Sequence, residues 1–242
     1  MDAMILAAGY GTRLRPLTDH TPKPLVEVAG ATVLEHVAQR LIEAGADRII
    51  VNVHHLADQV ERFARERWSL DAELVLSQER IRALGTGGGL KYASPLFRRD
   101  APFFLHVGDV ISEIDLGGMY AAHREAGALV TLAVHERNAA RCLLFDDDGL
   151  IGRDNRTEGW TRTIREARGR ERRWSFAGIH VLSPEVLERL REEPPFDIID
   201  AYLRLAEEGA RLQAHDVTGA RWLEIGSPER LDVARRVLEA ER

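Results

Sequence analysis

The chain has 242 residues, a formal net charge of −6, 45% hydrophobic and 30% charged residues, and one cysteine, Cys142. That length suits a single α/β core, and the composition is that of a soluble globular protein. The acidic balance argues against nonspecific binding to nucleic acid or membrane. No apolar stretch approaches a membrane span, no signal-peptide pattern precedes the first strand, and a lone cysteine fits a reducing cytoplasm.

Residues 3–8 are apolar throughout, as in a central strand of a parallel sheet covered on both faces. The run breaks at Gly9 and Gly11, and Thr12, Arg13, Arg15 and Lys23 follow. Glycine permits positive φ and close approach of a ligand, and successive N–H groups in such a turn form an anion-binding concavity. Arginine offers a planar fork and lysine a point charge to phosphate oxygens. Neither the three-glycine dinucleotide spacing nor the Gly-Lys-Ser/Thr of a P-loop is present. Lysine is otherwise almost absent, with only Lys23 and Lys91 in the sequence, so keeping Lys23 suggests a need for an ammonium there. The run Leu6-Ala-Ala-Gly-x-Gly-Thr-Arg-Leu-Arg-Pro-Leu-Thr, continued by Thr-Pro-Lys-Pro-Leu25, closely resembles the signature of sugar-1-phosphate nucleotidyltransferases, the nucleoside-diphosphate-sugar pyrophosphorylases.

Along the chain, apolar spacing predicts a helix between Gly30 and Gly45, with Val33, Leu34, Val37 and Leu41 inward. Strands follow at 48–53 and 72–76, separated by an amphipathic helix at 57–68. This alternation predicts a doubly wound sheet built from βαβ units. His54 and His55 close the second strand; one is expected to pack and one to be solvated, since their spacing does not suit zinc. At Leu84-Gly-Thr-Gly-Gly-Gly-Leu90 the three glycines are expected to precede a helix beginning at Leu90. Their backbone must come close to something, such as an anion or a flat base.

A strand at 102–107 ends in Gly108-Asp109-Val110, which places a carboxylate at a strand tip where a cation could be held. Asp115 is the expected cap of a helix at 116–125. Strands are expected at 128–135 and 142–145, with Cys142 packing as a small hydrophobe. Asp146-Asp147-Asp148-Gly149 reads as a solvated hairpin turn. Residues 153–173 read as a mobile surface loop, a candidate lid. Gly178 lies inside a strand at 176–182, a position that often marks close ligand approach. Ser183 is expected to cap a short helix. A helix at 198–208, a strand at 211–215 and a helix at 228–239 capped by Ser227 complete the reading.

The resemblance covers nearly the whole chain and implies a Rossmann-like, doubly wound, mixed and mostly parallel sheet of nucleotide-diphospho-sugar transferase type, as one domain over residues 1–242. No hexapeptide repeats follow that would build a C-terminal β-helix. It implies catalytic roles for Arg13, Lys23 and Asp109. Nucleotide binding would fall to Leu6, Ala7, Ala8, Gly9, Gly11, Thr12, Gly85, Thr86 and Gly87, with Gln78 a candidate reader of the base edge. Gly178 would lie near the sugar, and Mg²⁺ would be held by Asp109 and Glu224. Glu224 stands where the family has Asp, which places its carboxylate about one methylene further out. The Glu-Lys-Pro motif that grips the sugar phosphate in many members is missing from 153–173; the nearest approach is Ile164-Arg165-Glu166-Ala167, so an arginine is expected to serve.

The triple glycine is most like the N-acetylmuramate 1-phosphate uridylyltransferase branch. Uridylyl transfer from UTP to a hexose 1-phosphate is therefore the first expectation. Guanylyl transfer to mannose or heptose 1-phosphate comes next, and cytidylyl transfer to a phosphorylated alcohol last. A non-catalytic NDP-sugar-binding regulator is the rival from another class. The expected partners are a nucleoside triphosphate and a sugar 1-phosphate. No nucleic acid or membrane is expected, and the chain would be a cytoplasmic monomer or homodimer.

Overall fold

Strand β1 (Asp2–Leu6) is buried on both faces because its alternate residues enter two separate cores: Ala3 and Ile5 one, Met4 the other. The computed structural model describes residues 1–240; residues 241 and 242, the end of the expected domain, lie outside the described residues. After the glycine loop come a short hairpin, β2 (Glu27–Val28) and β3 (Ala31–Thr32), and helix α1 (Val33–Glu43). Thr32 and Glu35 form a reciprocal capping box, which starts this helix later than Gly30. Strand β4 (Arg48–Val53), helix α2 (Ala57–Glu66), strand β5 (Glu73–Gln78) and helix α3 (Gly85–Ala93) follow.

Next are β6 (Phe103–Val107), β7 (Val110–Ser112), α4 (Leu116–Ala126), β8 (Val130–His135), β9 (Arg141–Asp146), β10 (Gly149–Asn155), β11 (Trp160–Thr163) and β12 (Arg172–Leu182). The chain closes with α5 (Glu185–Arg189), α6 (Ile198–Glu207), β13 (Leu212–Asp216), β14 (Trp222–Glu224) and α7 (Pro228–Glu239). Asp115 and Ser227 cap α4 and α7 as expected.

The large sheet runs β11-β10-β9-β12-β6-β1-β4-β5, with β8 beside β12 and β13 beside β8. Its β6-β1-β4-β5 part is wholly parallel, and β12 joins it antiparallel to β6. Helices α1, α2, α4 and α7 bury their apolar stripes on one face, while α3, α5 and α6 cover the other. The sheet is thus a doubly wound, Rossmann-like mixed sheet. From β1 the chain first winds outward to β4 and β5, then returns on the other side at β6. The ends of β1 and β6 therefore flank a topological switch point, where open α/β sheets form their ligand crevice. No helix among the described residues is long and apolar enough to cross a membrane.

Four expectations are corrected. The glycines at 87–89 lie inside α3 rather than before it. A Cβ on Gly87 would sit 2.1 Å from the Phe196 ring, one on Gly88 3.0 Å from Pro194, and one on Gly89 2.6 Å from the Asn52 amide, so the close neighbour is the protein itself. Segment 153–173 is not an unstructured loop: it holds the end of β10, all of β11 and the start of β12. The Asp146 turn is not simply solvated. Its carboxylate is fully covered, takes two hydrogen bonds from Arg165 and accepts the amides of Asp148, Gly149 and Arg168. Ser183 does not cap α5; Pro184 occupies that position, and Ser183 Oγ donates to the Ala128 carbonyl at 2.9 Å.

Candidate active site

Two concavities meet at the switch point. The smaller, about 350 Å³, lies over the ends of β1 and β6; the larger, about 810 Å³, extends toward β9, β10 and β12. Leu6, Arg13, Thr86 and Val107 line both.

The floor of the smaller cleft is set by a chain of hydrogen bonds. The Ala7 amide donates to Asn52 Oδ1 at 2.7 Å, and Asn52 Nδ2 donates to Glu79 Oε1 at 2.7 Å. Glu79 Oε2 accepts the Leu84 amide at 2.7 Å. The chain ties the glycine loop to the entry of α3 through two buried polar side chains, Asn52 and Glu79. Both line the cleft, and neither was among the expected site residues. A polar residue inside the apolar run Ile-Ile-Val-Asn-Val was the available signal for Asn52.

Gly9 and Gly11 have different reasons for being glycine. Gly11 is left-handed (φ 63°), and a Cβ there would meet Thr18 Cγ2 at 2.8 Å. Thr18 Oγ1 also donates to the Gly11 carbonyl at 2.8 Å. A Cβ on Gly9 would meet nothing within 4 Å; it would enter open space. Gly9 lines the cleft with Leu6, Ala7, Ala8, Gly11, Thr12 and Arg13. The two histidines are not one packed and one solvated. Both are half-buried and hold this loop: His54 Nδ1 donates to the Glu79 carbonyl, its Nε2 accepts from the Tyr10 hydroxyl, and His55 Nε2 donates to the Thr18 carbonyl.

Lys23 and Asp109 converge from 86 positions apart in the chain, Nζ to Oδ2 at 2.6 Å. Lys23 is held by a tight turn flanked by prolines, and Asp109 by the end of β6. Gly108 lets that end approach β1: its amide donates to the Leu6 carbonyl at 2.8 Å, and a Cβ would lie 2.7 Å from the same oxygen. The Ile225 amide donates to the Asp109 carbonyl at 2.8 Å, which fixes the end of β14 beside Asp109. Glu224 then pairs with Arg13 at 3.4 Å and with Arg230.

Asp109 and Glu224 are the residues that could hold a metal. No group of three or more ligand-type side chains clusters among the described residues. Mg²⁺ commonly takes one or two protein carboxylates and completes its shell with substrate phosphates and waters, so this pair of hard oxygen donors fits it.

Gly85 and Thr86 reach the smaller cleft; Gly87 faces Phe196 instead. Thr86 Oγ1 donates to Asp197 Oδ1 at 3.1 Å and accepts the Ile198 amide, so it also starts α6. Gln78 is not brought into the cleft: its amide donates to Glu61 at 2.9 Å, and it lines a separate shallow surface with His54. Gly178 forms the bulge of β12 at φ 84°, where a Cβ would strike Val107 Cγ2 at 2.4 Å. It presses against the shared wall of the two concavities.

The larger cavity is lined by Arg13, Arg137, Arg141, Arg153 and Arg230, with Asp197 and Glu224 as its carboxylates. Arg153 is the one arginine of 153–173 on this wall, and it pairs with Asp197 at 3.1 Å. Arg165 is engaged with Asp146 instead. His180 is buried at the inner wall, its Nδ1 3.0 Å from the Tyr202 hydroxyl, and burial pushes its imidazole down to about 3. Cys142 is buried and lines this cavity.

Residues 2–241 match the nucleotidyl transferase family. Mannose-1-phosphate guanylyltransferase catalytic subunit beta of Drosophila pseudoobscura pseudoobscura is 36% identical over 234 residues, which is 94% of this chain and 59% of that protein. N-acetylmuramate alpha-1-phosphate uridylyltransferase of Caulobacter vibrioides is 34% identical over 253 residues, covering 98% of this chain and 97% of that one. The chain thus spans about three fifths of the guanylyltransferase and nearly all of the uridylyltransferase. Among solved structures, UDP-glucose pyrophosphorylase complexed with UDP-glucose superposes with a TM-score of 0.79 at 16% identity, over 100% of this chain and 99% of that chain.

Proposed function

The chain belongs to the nucleotidyl transferase family, and we propose that it makes a nucleoside-diphosphate sugar and pyrophosphate from a nucleoside triphosphate and a sugar 1-phosphate. The observation that carries this is the Lys23–Asp109 pair in the smaller cleft, which is floored by a glycine loop and joined through Arg13 and Thr86 to a cavity lined by arginines.

In this reading the triphosphate lies on the Gly9–Arg13 turn, where Gly9 leaves room and the backbone amides face the phosphates. The nucleoside sits against Leu6, Gly85 and Thr86. An oxygen of the sugar phosphate attacks the α-phosphorus in line. The new P–O bond forms as the α–β P–O bond breaks, and that electron pair leaves with pyrophosphate. No side chain must gain or lose a proton, so the residues act by position and charge. Lys23 neutralises the α-phosphate or the incoming phosphate, and Arg13 the departing pyrophosphate. Asp109 and Glu224 would hold Mg²⁺, which when bound would supply neutralisation of phosphate charge. Lys23 and Arg13 compensate these two carboxylates in the structure; substrate phosphates would compete for both cations.

Uridylyl transfer to a hexose 1-phosphate such as N-acetylmuramate 1-phosphate is the finer reading, favoured by the relative that this chain matches nearly end to end. Guanylyl transfer is the second, favoured by the 36% identity to a mannose-1-phosphate guanylyltransferase. We take the whole of residues 1–242 as one catalytic domain working in the cytoplasm. The test is pyrophosphate release from four nucleoside triphosphates, each paired with several sugar 1-phosphates in the presence of Mg²⁺. Release with one base and one sugar class is expected. Tight binding of an NDP-sugar with no release from any pair would instead identify a sensor.

A further inference from the structure

Five arginines and two carboxylates line the larger cavity, and most of this charge is already matched. Arg153 is taken by Asp197 at 3.1 Å, and Arg141 by Glu158 at 3.7 Å. Arg13 and Arg230 share Glu224. Arg137 is left: among the described residues no carboxylate pairs with it, and its partner is the indole of Trp222, with the guanidinium 4.3 Å from the ring centroid. The indole is itself fixed, since Trp222 Nε1 donates to the Ala177 carbonyl at 2.8 Å and the His135 ring packs 5.3 Å away. Arg137 lies two residues beyond the end of β8, in the irregular stretch before β9, and is exposed; the pinned ring sets its place.

The surroundings disfavour this placement. Partial burial and then the charge of Arg230 both push the Arg137 guanidinium below its ordinary value. Arg230 lies in the first turn of α7, where the helix dipole also disfavours a cation. Arg13 and Arg230 share one carboxylate, Glu224, and Arg137, which lines the same cavity beside Arg230, has none among the described residues, so two positive charges on this lining are unmatched. A phosphate monoester carries about −1.5 to −2 at pH 7. An arginine held over an indole keeps N–H donors free, which suit two phosphate oxygens in a way that an ammonium cannot copy.

We infer that Arg137, stacked on Trp222 and backed by Arg230, is the residue that binds the phosphate of the sugar 1-phosphate in this chain. The inference rests on the proposed nucleotidyl transfer and names the group that receives the acceptor substrate. It locates the phosphate near the β8 end and β14 rather than in the 153–173 segment, whose cavity-lining arginine is already neutralised.

The test compares wild type with Arg137→Ala and Arg137→Gln, and with Arg62→Ala on the exposed face of α2 as a charge control. A lost charged hydrogen bond predicts a KM for the sugar 1-phosphate about 10- to 100-fold higher in both Arg137 variants. The KM for the nucleoside triphosphate should stay within about 2-fold, and Arg62→Ala should match wild type. An unchanged sugar 1-phosphate KM, or equal rises in both KM values, would overturn the inference. If wild type releases no pyrophosphate with any pair, the functional reading fails on its own. Calorimetric titration of α-D-glucose 1-phosphate and α-D-mannose 1-phosphate onto wild type and Arg137→Ala then decides: binding at least 10-fold weaker in the variant supports the inference, and equal or absent binding overturns it.

Discussion

Lys23 Nζ and Asp109 Oδ2 stand 2.6 Å apart, with side chains only 15% and 27% exposed, and each comes from a different loop at the same switch point. Such a pair is a small stabiliser in itself, worth about 1 kcal/mol when partly solvated. Its value lies in holding a cation and an anion where phosphates are proposed to arrive. Replacing Lys23 by Met or Asp109 by Asn should lower pyrophosphate release about 10²- to 10³-fold. Thermal unfolding should move by only a few degrees. Turnover near wild type in either variant would remove both residues from the chemistry.

Gly9 and Gly87 give opposite expectations for the same substitution. Gly9→Ala puts a methyl into open space, so stability should hold while the KM for the nucleoside triphosphate rises about 10-fold or more. Gly87→Ala drives a methyl into Phe196 and should cost about 1–3 kcal/mol from overpacking, read as a lower urea midpoint. If Gly9→Ala proves the more destabilising of the two, the open space beside it is not real.

The buried Glu79 carboxylate meets two donors, one on each oxygen. Glutamine in its place must turn its NH₂ toward one of them. Glu79→Gln should therefore destabilise by about 1–3 kcal/mol despite its matching shape. Hydrogen exchange at the Leu84 and Ala7 amides should speed up in the variant; unchanged exchange would mean that the loop and α3 are not coupled through this chain.

Three buried histidines set an acid limit. Desolvation holds His106 and His123 at about 4 and His180 at about 3. In the unfolded chain they protonate near 6.5. Below pH 6.5 the unfolded state therefore binds more protons, and folding stability falls with pH until the folded values are reached. The unfolding midpoint should drop steadily between pH 6.5 and 4. His123→Gln, away from both cavities, should flatten that slope by about one proton. A midpoint flat across this window would contradict the buried neutral state.

Much of the parallel core was legible in the sequence because its signals are local: β1 and β4 announce themselves by apolar runs, and α4 and α7 by their caps. The Lys23–Asp109 encounter was legible only as two separate motifs. Local propensity reads the three glycines of α3 as a break, because the neighbours that require them, Phe196, Pro194 and Asn52, are distant in the chain. The β10–β11 hairpin was missed because β11 is exposed at every residue, leaving no alternation to find. Asn52 and Glu79 gave a faint signal, as polar groups at the end of apolar strands. Arg137 gave none; its role appears only when the carboxylates around it are matched one by one.

Strand β12 bears on all of this. Its first three residues pair with β9, its middle carries the Gly178 bulge, and its last four lie against β6. The far wall of the larger cavity and the strand beside the crevice at the switch point are thus successive lengths of one continuous backbone. Gly178, packed against Val107, is the point at which the strand passes from one wall to the other. The spacing of the two walls is therefore set by one strand and its bulge.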